Sequence, residues 1–534
     1  MMAFFIMKKN NFIIFIFFSL LISFYKFDSS DWFFVSKPDI IKSMTQDTFN
    51  AYFLAENGIY SYDFISEDFF YDIDLSNNLL EEKKYLIHYH SDTDYFFIFT
   101  QNHILYKSSI ASYWNEKRIS DLNIFSINSI IRIGFSNEDI IIQTQNDYKV
   151  INIFSMNNFN YKDIDHIQSV QWVSNNVDDL DLSKYYTMDN SIMGKNNIRD
   201  IADIHHFPIS SMYDRFDNLW IGMDTGAIYK VDDFSYNIER LNVGPRVDYV
   251  SDVFNDSYGN WYFFDSYFKR TGSQTSINKG YFISIWNENN DSWIHIPKND
   301  NLIISNAILN DVKRLDDFIL FCTFDGLIIY DIKLDSWYHN YNFLDNYNRA
   351  LWEVIFDDKN IYFATSFGLV ICDYLILDDK LEIYRDNIIF RDSEIYDLEI
   401  LDNKIYFSSS EGLYKYNLDL NKINLIDSHI YYKIKIFENY VLASNNNLWN
   451  INNLGRTLIS HDINYFNTSD KGDKICATNL NQIKIIDNNS EKEWYLSLKK
   501  INMNRPIYSI DCDSDWLWFP NVNGIAFFKW SNYE

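Results

Sequence analysis

Residues 213–232 read YDRFDNLWIGMDTGAIYKVD and contain the unit that the rest of the chain repeats. A polar turn (214–218) leads into a short apolar strand (219–222). A second turn ending at Gly226 leads into a second strand (227–231). Neither strand can bury its apolar side alone, because an isolated hairpin is only marginally stable in water. The stretch therefore predicts a fold in which this hairpin recurs.

The same pattern of turn, apolar strand, corner and second strand recurs along the whole chain. Copies lie at 51–63, 95–107, 139–151, 218–232, 318–331, 360–373, 404–417, 440–451, 474–487 and 516–530, with a degenerate copy from Asn260. The corner residues are Gly58, Gly226, Gly326, Gly368, Gly412 and Gly524 in the better copies, and His103, Asp147, Asn447 and Gln482 in the weaker ones. Because Gly and Asn tolerate positive φ, this position predicts a tight turn between antiparallel strands.

Two further strands belong to each unit. An alternating run precedes the hairpin, as in ALWEVIFDD (350–358), and a Trp-bearing strand follows it, as in DSWIHI from Asp291, DSWYHN from Asp335 and KEWYLS from Lys492. Equivalent corners are mostly about 35 to 45 residues apart, the period of a four-stranded propeller blade. With no helical periodicity, the pattern predicts an all-β β-propeller protein of about eleven four-stranded blades.

The last copy stops without its Trp-bearing strand, and SDWFFVS at 30–36 matches the missing strand. We predict that this N-terminal strand joins the last blade, since closure removes open sheet edges. Eleven blades are many for one ring, so we favour two propellers over one. Closure across the termini then makes one ring discontinuous, with the other inserted into it. We expect blades at 30–300 and 301–534, but the sequence does not fix the seam between the rings.

Two irregular regions interrupt the repeats, at 154–199 and at 269–280. We interpret them as decorated loops or as a junction between rings. The second region brings Lys269, Arg270 and Lys279 together in an acidic chain. A solvated hairpin tip is favoured there over a basic loop that docks an anionic ligand.

The net charge and the N-terminal residues bear on the partners of the protein and on its cellular location. A formal charge of -28 argues against nucleic acid and anionic membrane as partners, because phosphate binding needs clustered Lys and Arg. Lys8 and Lys9 precede an apolar run at 12–25, which predicts a signal peptide or N-terminal anchor over residues 1–29. We expect no other membrane span. The chain is thus predicted to be exported: periplasmic, outer-membrane-associated or extracellular.

The sequence gives little support for a metal-binding site. D-x-D-x-D at Asp511, Asp513 and Asp515 resembles the start of a calcium loop, but Trp516 and Val522 stand where that loop needs Gly and Glu. A turn-forming role is favoured. His88 and His90 are predicted to share one face of a strand, and the adjacent His205 and His206 to point to opposite faces, without the four ligands of structural zinc.

The four cysteines are Cys322, Cys372, Cys476 and Cys512, none of them in a C-x-x-C pair. An exported chain could oxidise them, but their wide spacing favours buried single thiols. No nucleophile elbow, phosphate-binding loop or H-E-x-x-H motif occurs. We therefore assign no catalytic, cofactor-binding or metal residue and predict no cofactor. Partner-binding residues stay unknown.

The hairpin DRFDNLWIGMDTGAIYKVD resembles the propeller repeat of bacterial two-component regulator proteins, although Asp217 replaces the usual turn Gly. Residues 30–120, with ENGIYSYD and SDTDYFFIFTQNHILYKSS, also resemble the N-terminal propeller of an exported type IX secretion component. In both families the propellers bind or scaffold. This implies a non-enzymatic propeller binding a protein or glycan at the cell envelope. The alternatives are an envelope polysaccharide hydrolase or lyase, and a sensor module of a two-component-like system.

Overall fold

The computed structural model describes residues 31–533 except 78, 81, 166, 168, 174–176, 178–179, 233, 267–278, 341–343, 345–349, 378–379, 438–439, 453, 470–471, 480–481, 488–492 and 497–506. The described residues form eleven antiparallel sheets, numbered 1 to 11 below, and one small three-stranded sheet. Ten of the eleven have four strands and sheet 3 has five, so the prediction of about eleven four-stranded blades is confirmed.

Sheets 1 to 4 come first along the chain. Sheet 1 comprises Ile41–Gln46, Asn50–Ala55, Gly58–Asp63 and Phe69–Tyr71; sheet 2 comprises Lys84–His90, Tyr95–Thr100, His103–Ser108 and Asn115–Arg118. Sheet 3 comprises Ile130–Ser136, Asp139–Thr144, Tyr148–Asn152, Asn158–Tyr161 and Gln171–Val173; sheet 4 comprises Pro208–Tyr213, Leu219–Met223, Ile228–Asp232 and Asn237–Arg240. The small sheet comprises Ile192–Met193, Ile198–Arg199 and His205–His206. Helical turns lie at Ile73–Ser76, Ile119–Leu122, Ile127–Ser129, Leu182–Lys184 and Trp530–Tyr533.

Sheets 5 to 11 follow. Sheet 5 comprises Asp252–Asn255, Asn260–Phe264, Tyr281–Asn287 and Ser292–Pro297; sheet 6 comprises Leu309–Leu315, Phe318–Thr323, Gly326–Asp331 and Ser336–Asn340. Sheet 7 comprises Leu351–Phe356, Asn360–Thr365, Gly368–Leu377 and Lys380–Ile389; sheet 8 comprises Ile395–Leu401, Lys404–Ser409, Gly412–Asn417 and Lys422–Asp427. Sheet 9 comprises Lys433–Phe437, Tyr440–Ser444, Asn446–Asn452 and Gly455–Ile463; sheet 10 comprises Tyr465–Thr468, Lys474–Thr478, Ile483–Asp487 and Glu493–Leu496. Sheet 11 comprises Asp511–Cys512, Trp516–Asn521, Gly524–Lys529 and, from the N-terminus, Trp32–Ser36.

The corner between the second and third strands behaves as the sequence predicts. All six corner glycines have positive φ, between 82° at Gly226 and 158° at Gly524. A Cβ added at Gly524 would lie 2.0 Å from the carbonyl oxygen of Val35, so the closing strand itself occupies the space of a side chain. In the weaker copy near 447 the left-handed residue is Asn446 (φ 73°), one position before the predicted Asn447.

The N-terminal strand closes the last sheet. Trp32–Ser36 pairs antiparallel with the strand Gly524–Lys529, with Trp32 opposite Phe528 and Ser36 opposite Gly524. The rings of Trp32 and Phe528 lie 4.7 Å apart. The Trp-bearing strand missing at the C-terminus is thus supplied from the other end of the chain, which confirms the predicted closure.

Contacts between the described sheets fall into two series. In the first, the first strand of sheet 1 contacts the first strands of sheets 2 and 4, and sheets 2 and 3 share an apolar cluster. In the second, the first strands of sheets 6 to 11 contact one another in sequence, and the first strand of sheet 5 contacts sheet 11. Trp32–Ser36 belongs to sheet 11, as a discontinuous ring with sheets 1 to 4 inserted would require, and that division into two rings stays a prediction. We call sheets 5 to 11 the seven-sheet ring and sheets 1 to 4 the four-sheet ring.

The division of the chain at residue 300 stays a prediction, and Phe264 and Phe321 share one apolar cluster across it. The irregular region at 154–199 begins inside sheet 3, because it contains the strand Asn158–Tyr161 of that sheet, and it ends shortly before sheet 4. It supplies the strand Gln171–Val173 and most of the small sheet, and is thus a decoration of the four-sheet ring. The insertion at 269–280 lies outside the described residues except Lys279, which pairs with Asp203 at 3.2 Å, and Gly280.

Closure predicts a large effect of proline in the N-terminal strand. The N–H of Lys37 donates to Asn523 O at 2.9 Å, and antiparallel bonds recur every second residue, so the N–H of Val35 faces Ile525. Val35→Pro removes that donor and should lower the free energy of unfolding by about 2 kcal/mol or more. Urea denaturation measures this. Val35→Thr keeps the donor and is the matched control; equal midpoints for the two variants would contradict the role of the strand.

Candidate functional site

A cavity of about 690 Å³ lies between the four sheets of the smaller ring. Its lining residues are Met44, Thr45, Gln46, His88, Tyr89, Ser91, Gln171, Trp172, Val173, Leu180, Lys184, Tyr185, Ser211, Met212, Tyr213 and Leu219. The volume falls within the range of small-ligand pockets, about 300 to 1,000 Å³. Aromatic rings, amides and hydroxyls make up much of this surface, and no Asp or Glu is among the residues named.

Trp172 is held in the cavity wall by two residues of the neighbouring strand. It lies opposite Gly134 in sheet 3, and a Cβ added at Gly134 would lie 2.9 Å from Trp172 Cε3. The guanidinium carbon of Arg132 sits 3.7 Å from the centre of the indole ring, within the range of a cation–π contact. Gly134 therefore provides the space and Arg132 the stacking partner that fix the indole.

The polar groups of the lining are also held in place. The side chain of Gln46 donates to Tyr213 O at 3.1 Å and accepts from the N–H of Arg215 at 2.9 Å, which joins sheets 1 and 4 across the cavity. Thr45 Oγ1 accepts the N–H of Tyr89 at 2.9 Å and joins sheet 1 to sheet 2. Hydrogen bonds at the cavity therefore connect sheet 1 to sheets 2 and 4.

The titratable side chains of the lining are mostly neutral at physiological pH. Burial lowers the pKa of His88 to about 3, and the ring stacks on Phe135 at 3.8 Å. Burial and a hydrogen bond to Asp94 raise the pKa of Tyr89 to about 12. Lys184 is then the one cation among the lining residues. The arrangement can stack and hydrogen-bond an uncharged or weakly anionic ligand.

Comparisons with known proteins give structural similarities at low sequence identity. No family model and no curated protein match the sequence. Among solved structures, the chain is similar to the extracellular domain of a hybrid two-component system from B. thetaiotaomicron (14% identity, TM-score 0.44, covering 92% of this chain and 70% of that one). It is also similar to PorZ, a surface component of the type-IX secretion system of Porphyromonas gingivalis (10%, 0.47, 93% and 87%). These likenesses concern the fold alone.

A second such extracellular domain from B. thetaiotaomicron gives 14% identity and a TM-score of 0.40, covering 95% of this chain and 77% of that one. Both kinds of protein resembled at the sequence level are thus found again among these structures. No helix of the described residues is long and apolar enough to cross a membrane. The predicted signal or anchor at 1–29 lies outside the described residues.

The histidines singled out from the sequence lie where the strand pattern predicts. His88 and His90 share one strand, with ring centres 6.2 Å apart, and both have pKa values lowered by burial. His205 is exposed and His206 is buried, so they point to opposite faces as predicted. Over the part of the chain that the structure describes, no three His, Cys, Asp or Glu side chains form a metal-binding group.

The predicted turn role of the D-x-D-x-D stretch is confirmed at its centre. Asp513 Oδ1 accepts the N–H groups of Asp515 and Trp516, both at 2.7 Å. The prediction of buried thiols outside disulfide bonds is confirmed for all four cysteines. All four cysteines are buried, but Cys476 and Cys512 meet with their sulfur atoms 2.6 Å apart.

The seven-sheet ring carries charged side chains on its first strands, but they are engaged with neighbours. Asp311, Glu353 and Asp397 each accept the backbone N–H of the next sheet, from Val354, Leu398 and Ile434 respectively. Lys433 Nζ lies 2.7 Å from Asp397. Although burial opposes its charge, Asp397 and Glu353 hold the pKa of Lys433 well above its usual value. These groups connect adjacent sheets.

A second buried network joins the two rings, centred on Asp200. Its Oδ2 accepts from His206 Nε2 at 3.1 Å, Arg240 Nη1 at 3.0 Å and the hydroxyl of Tyr281 at 3.0 Å. His206 Nδ1 in turn lies 2.5 Å from Thr225 Oγ1. Burial alone would raise the pKa of Asp200, but the hydrogen bond from His206 and the charge of Arg240 hold it well below the usual value.

Sequence reasoning did not find Trp172, Arg132 or Asp200. Trp172 and Asp200 lie in or beside the irregular region, where no hairpin copy assigns positions. The available signal was the short strand-like run VQWV (170–173) with its single Trp, separate from any repeat.

The fit of Trp172 over Gly134 predicts that a methyl group is not tolerated there. Gly134→Ala places Cβ 2.8 Å from Val170 Cγ1 and 2.9 Å from Trp172, and should lower the free energy of unfolding by about 1 to 3 kcal/mol. Ile131→Ala on the same strand is the control, because Ile131 is 56% exposed. If Gly134→Ala unfolds in urea at the wild-type midpoint, the packing described for the indole is wrong.

The depressed pKa of Asp200 predicts acid sensitivity. Its carboxylate stabilises the fold fully above the unfolded pKa, near 4, and this contribution is lost as pH falls toward the folded pKa. Asp200→Asn should cost about 3 to 5 kcal/mol at pH 7, because Arg240 is left buried without its partner. The variant should also lose less stability than the wild type between pH 5 and 3.

Urea denaturation at a series of pH values measures both effects. Asp203→Asn is the matched control, because Asp203 pairs with Arg199 and Lys279 at the surface, where water and salt screen ion pairs and the change should affect stability little. Parallel stability curves for the wild type and Asp200→Asn would contradict the network.

Proposed function

We propose that the protein is an exported, non-enzymatic propeller that binds a partner at the cell envelope, and that the cavity of the four-sheet ring is the binding site. The observation that carries this proposal is the lining of that cavity. Trp172 is fixed there between Gly134 and Arg132, beside tyrosines, amides and hydroxyls, and none of the described lining residues is a carboxylate. Few, well-placed polar groups on an aromatic wall are typical of ligand pockets.

Among protein and glycan partners, the cavity chemistry favours a glycan segment. The apolar face of a sugar ring stacks on an aromatic ring, and its hydroxyls need both donors and acceptors, which Gln171, Ser91 and Ser211 can supply. A basic peptide would meet no carboxylate among the lining residues. An acidic peptide would meet one cation, Lys184.

The enzyme alternative has less support at this cavity. A polysaccharide hydrolase needs a pair of carboxyl groups about 5 to 10 Å apart, and the described residues of the lining include none. The carboxylates of the seven-sheet ring are bonded to backbone N–H groups and lysines of the next sheet, which suits a structural role. The sensor alternative shares the binding step and differs in requiring a signalling partner.

Trp172→Ala tests the site. The protein is first screened on an array of bacterial surface oligosaccharides, and the strongest hit is titrated calorimetrically. Loss of the indole should weaken binding at least tenfold, because stacking on the ring provides the apolar contact. Phe159→Ala is the control, since Phe159 is 55% exposed and lies on the edge strand of the same sheet that is opposite to the strand of Trp172. Unchanged affinity in Trp172→Ala, or binding to no oligosaccharide, would overturn the assignment.

A further inference from the structure

Two cysteines from neighbouring sheets meet in the core of the seven-sheet ring. Cys476 lies in the second strand of sheet 10, and Cys512 in the first strand of sheet 11. Their Sγ atoms are 2.6 Å apart, and the side chains are 0% and 6% exposed. Both belong to one apolar cluster with Leu517 and Phe519.

This contact is closer than two non-bonded sulfur atoms approach, and a disulfide bond measures about 2.0 Å. Small changes in the side-chain torsions therefore bring the sulfur atoms within bonding distance. The chain has two other cysteines, Cys322 and Cys372, which lie in the neighbouring sheets 6 and 7. They serve as controls in the same chain, because the proposal does not link them.

We propose that Cys476 and Cys512 form a disulfide bond that links sheets 10 and 11. The proposal rests on the export in the proposed function, because cytosolic thiols are kept reduced. The oxidant is a thiol–disulfide oxidoreductase. A thiolate attacks its disulfide to give a mixed disulfide, and the second thiolate displaces the enzyme. Two thiols lose two protons and two electrons in total, and the enzyme disulfide becomes a dithiol.

The disulfide bond lies beside the closing strand Trp32–Ser36. Sheet 11 contains Trp32–Ser36, and Trp32 packs on the same cluster as the two cysteines. A covalent link from sheet 10 to sheet 11 holds the last two sheets of the ring together independently of the N-terminal strand. It also restricts the unfolded chain between residues 476 and 512. Because both sulfur atoms are buried, oxidation takes place during folding, while the thiols are accessible.

Peptide mapping of the full chain tests this. Protein isolated from its native cells is alkylated in denaturant without reductant and cut with trypsin. The expected result is a linked pair of peptides, 475–484 and 501–529, with two of the four cysteines alkylated. Reduction should release the two peptides and lower the melting temperature. Cys322→Ser should keep the linked pair, and Cys476→Ser should leave Cys512 alkylated.

A parallel sample, made reduced and refolded with oxidised glutathione, separates the two proposals. A linked pair in this sample alone supports the disulfide and counts against export. Four alkylated cysteines in both samples overturn the disulfide, as does a link between Cys322 and Cys372 instead. The measurement on the wild-type chain decides the outcome even if Cys476→Ser does not fold.

Discussion

The pairing of Trp32–Ser36 with the strand Gly524–Lys529 is the constraint on which the two-ring arrangement depends. It places residues 32–36 in the last sheet of the seven-sheet ring. The chain must therefore pass from that ring into the four-sheet ring and return from it at one place. The structure shows this place. Lys37 Nζ donates to Val247 O at 2.5 Å, and a Cβ at Gly244 would lie 2.4 Å from Lys37 N. The outgoing and returning segments are thus packed together.

Adjacent sheets are connected by a second, repeated interaction. A polar side chain on the first strand of one sheet bonds to the backbone of the next, as Thr45 does with Tyr89 in the small ring and Asp311 with Val354 in the large one. Apolar faces give sheets no preferred position relative to one another, whereas a directional bond does. Buried polar residues at these strands, including carboxylates, therefore have a structural explanation before a functional one.

The sequence could predict what is decided within a sheet. The strand period, the glycine corners and the missing Trp-bearing strand are local patterns. They were enough to predict the sheets and the closure of the last one. The contacts between Asp200 and Tyr281, Trp172 and Arg132, and Cys476 and Cys512 join segments that no repeat relates. The contacts of Asp200 and of the two cysteines depend on how neighbouring sheets are placed against one another, and the contact of Trp172 depends on an added strand from the irregular region. A local period describes neither.

This difference also separates the roles of the two rings. In the seven-sheet ring, charged groups of the first strands are matched by backbone N–H groups or lysines, so a ligand entering there would have to displace bonds already made. In the four-sheet ring, the corresponding region holds a cavity whose walls are fixed by Gln46 and Gly134 without being filled. A preformed space loses little order when a ligand enters it. This contrast supports the proposal that a ligand binds in the smaller ring.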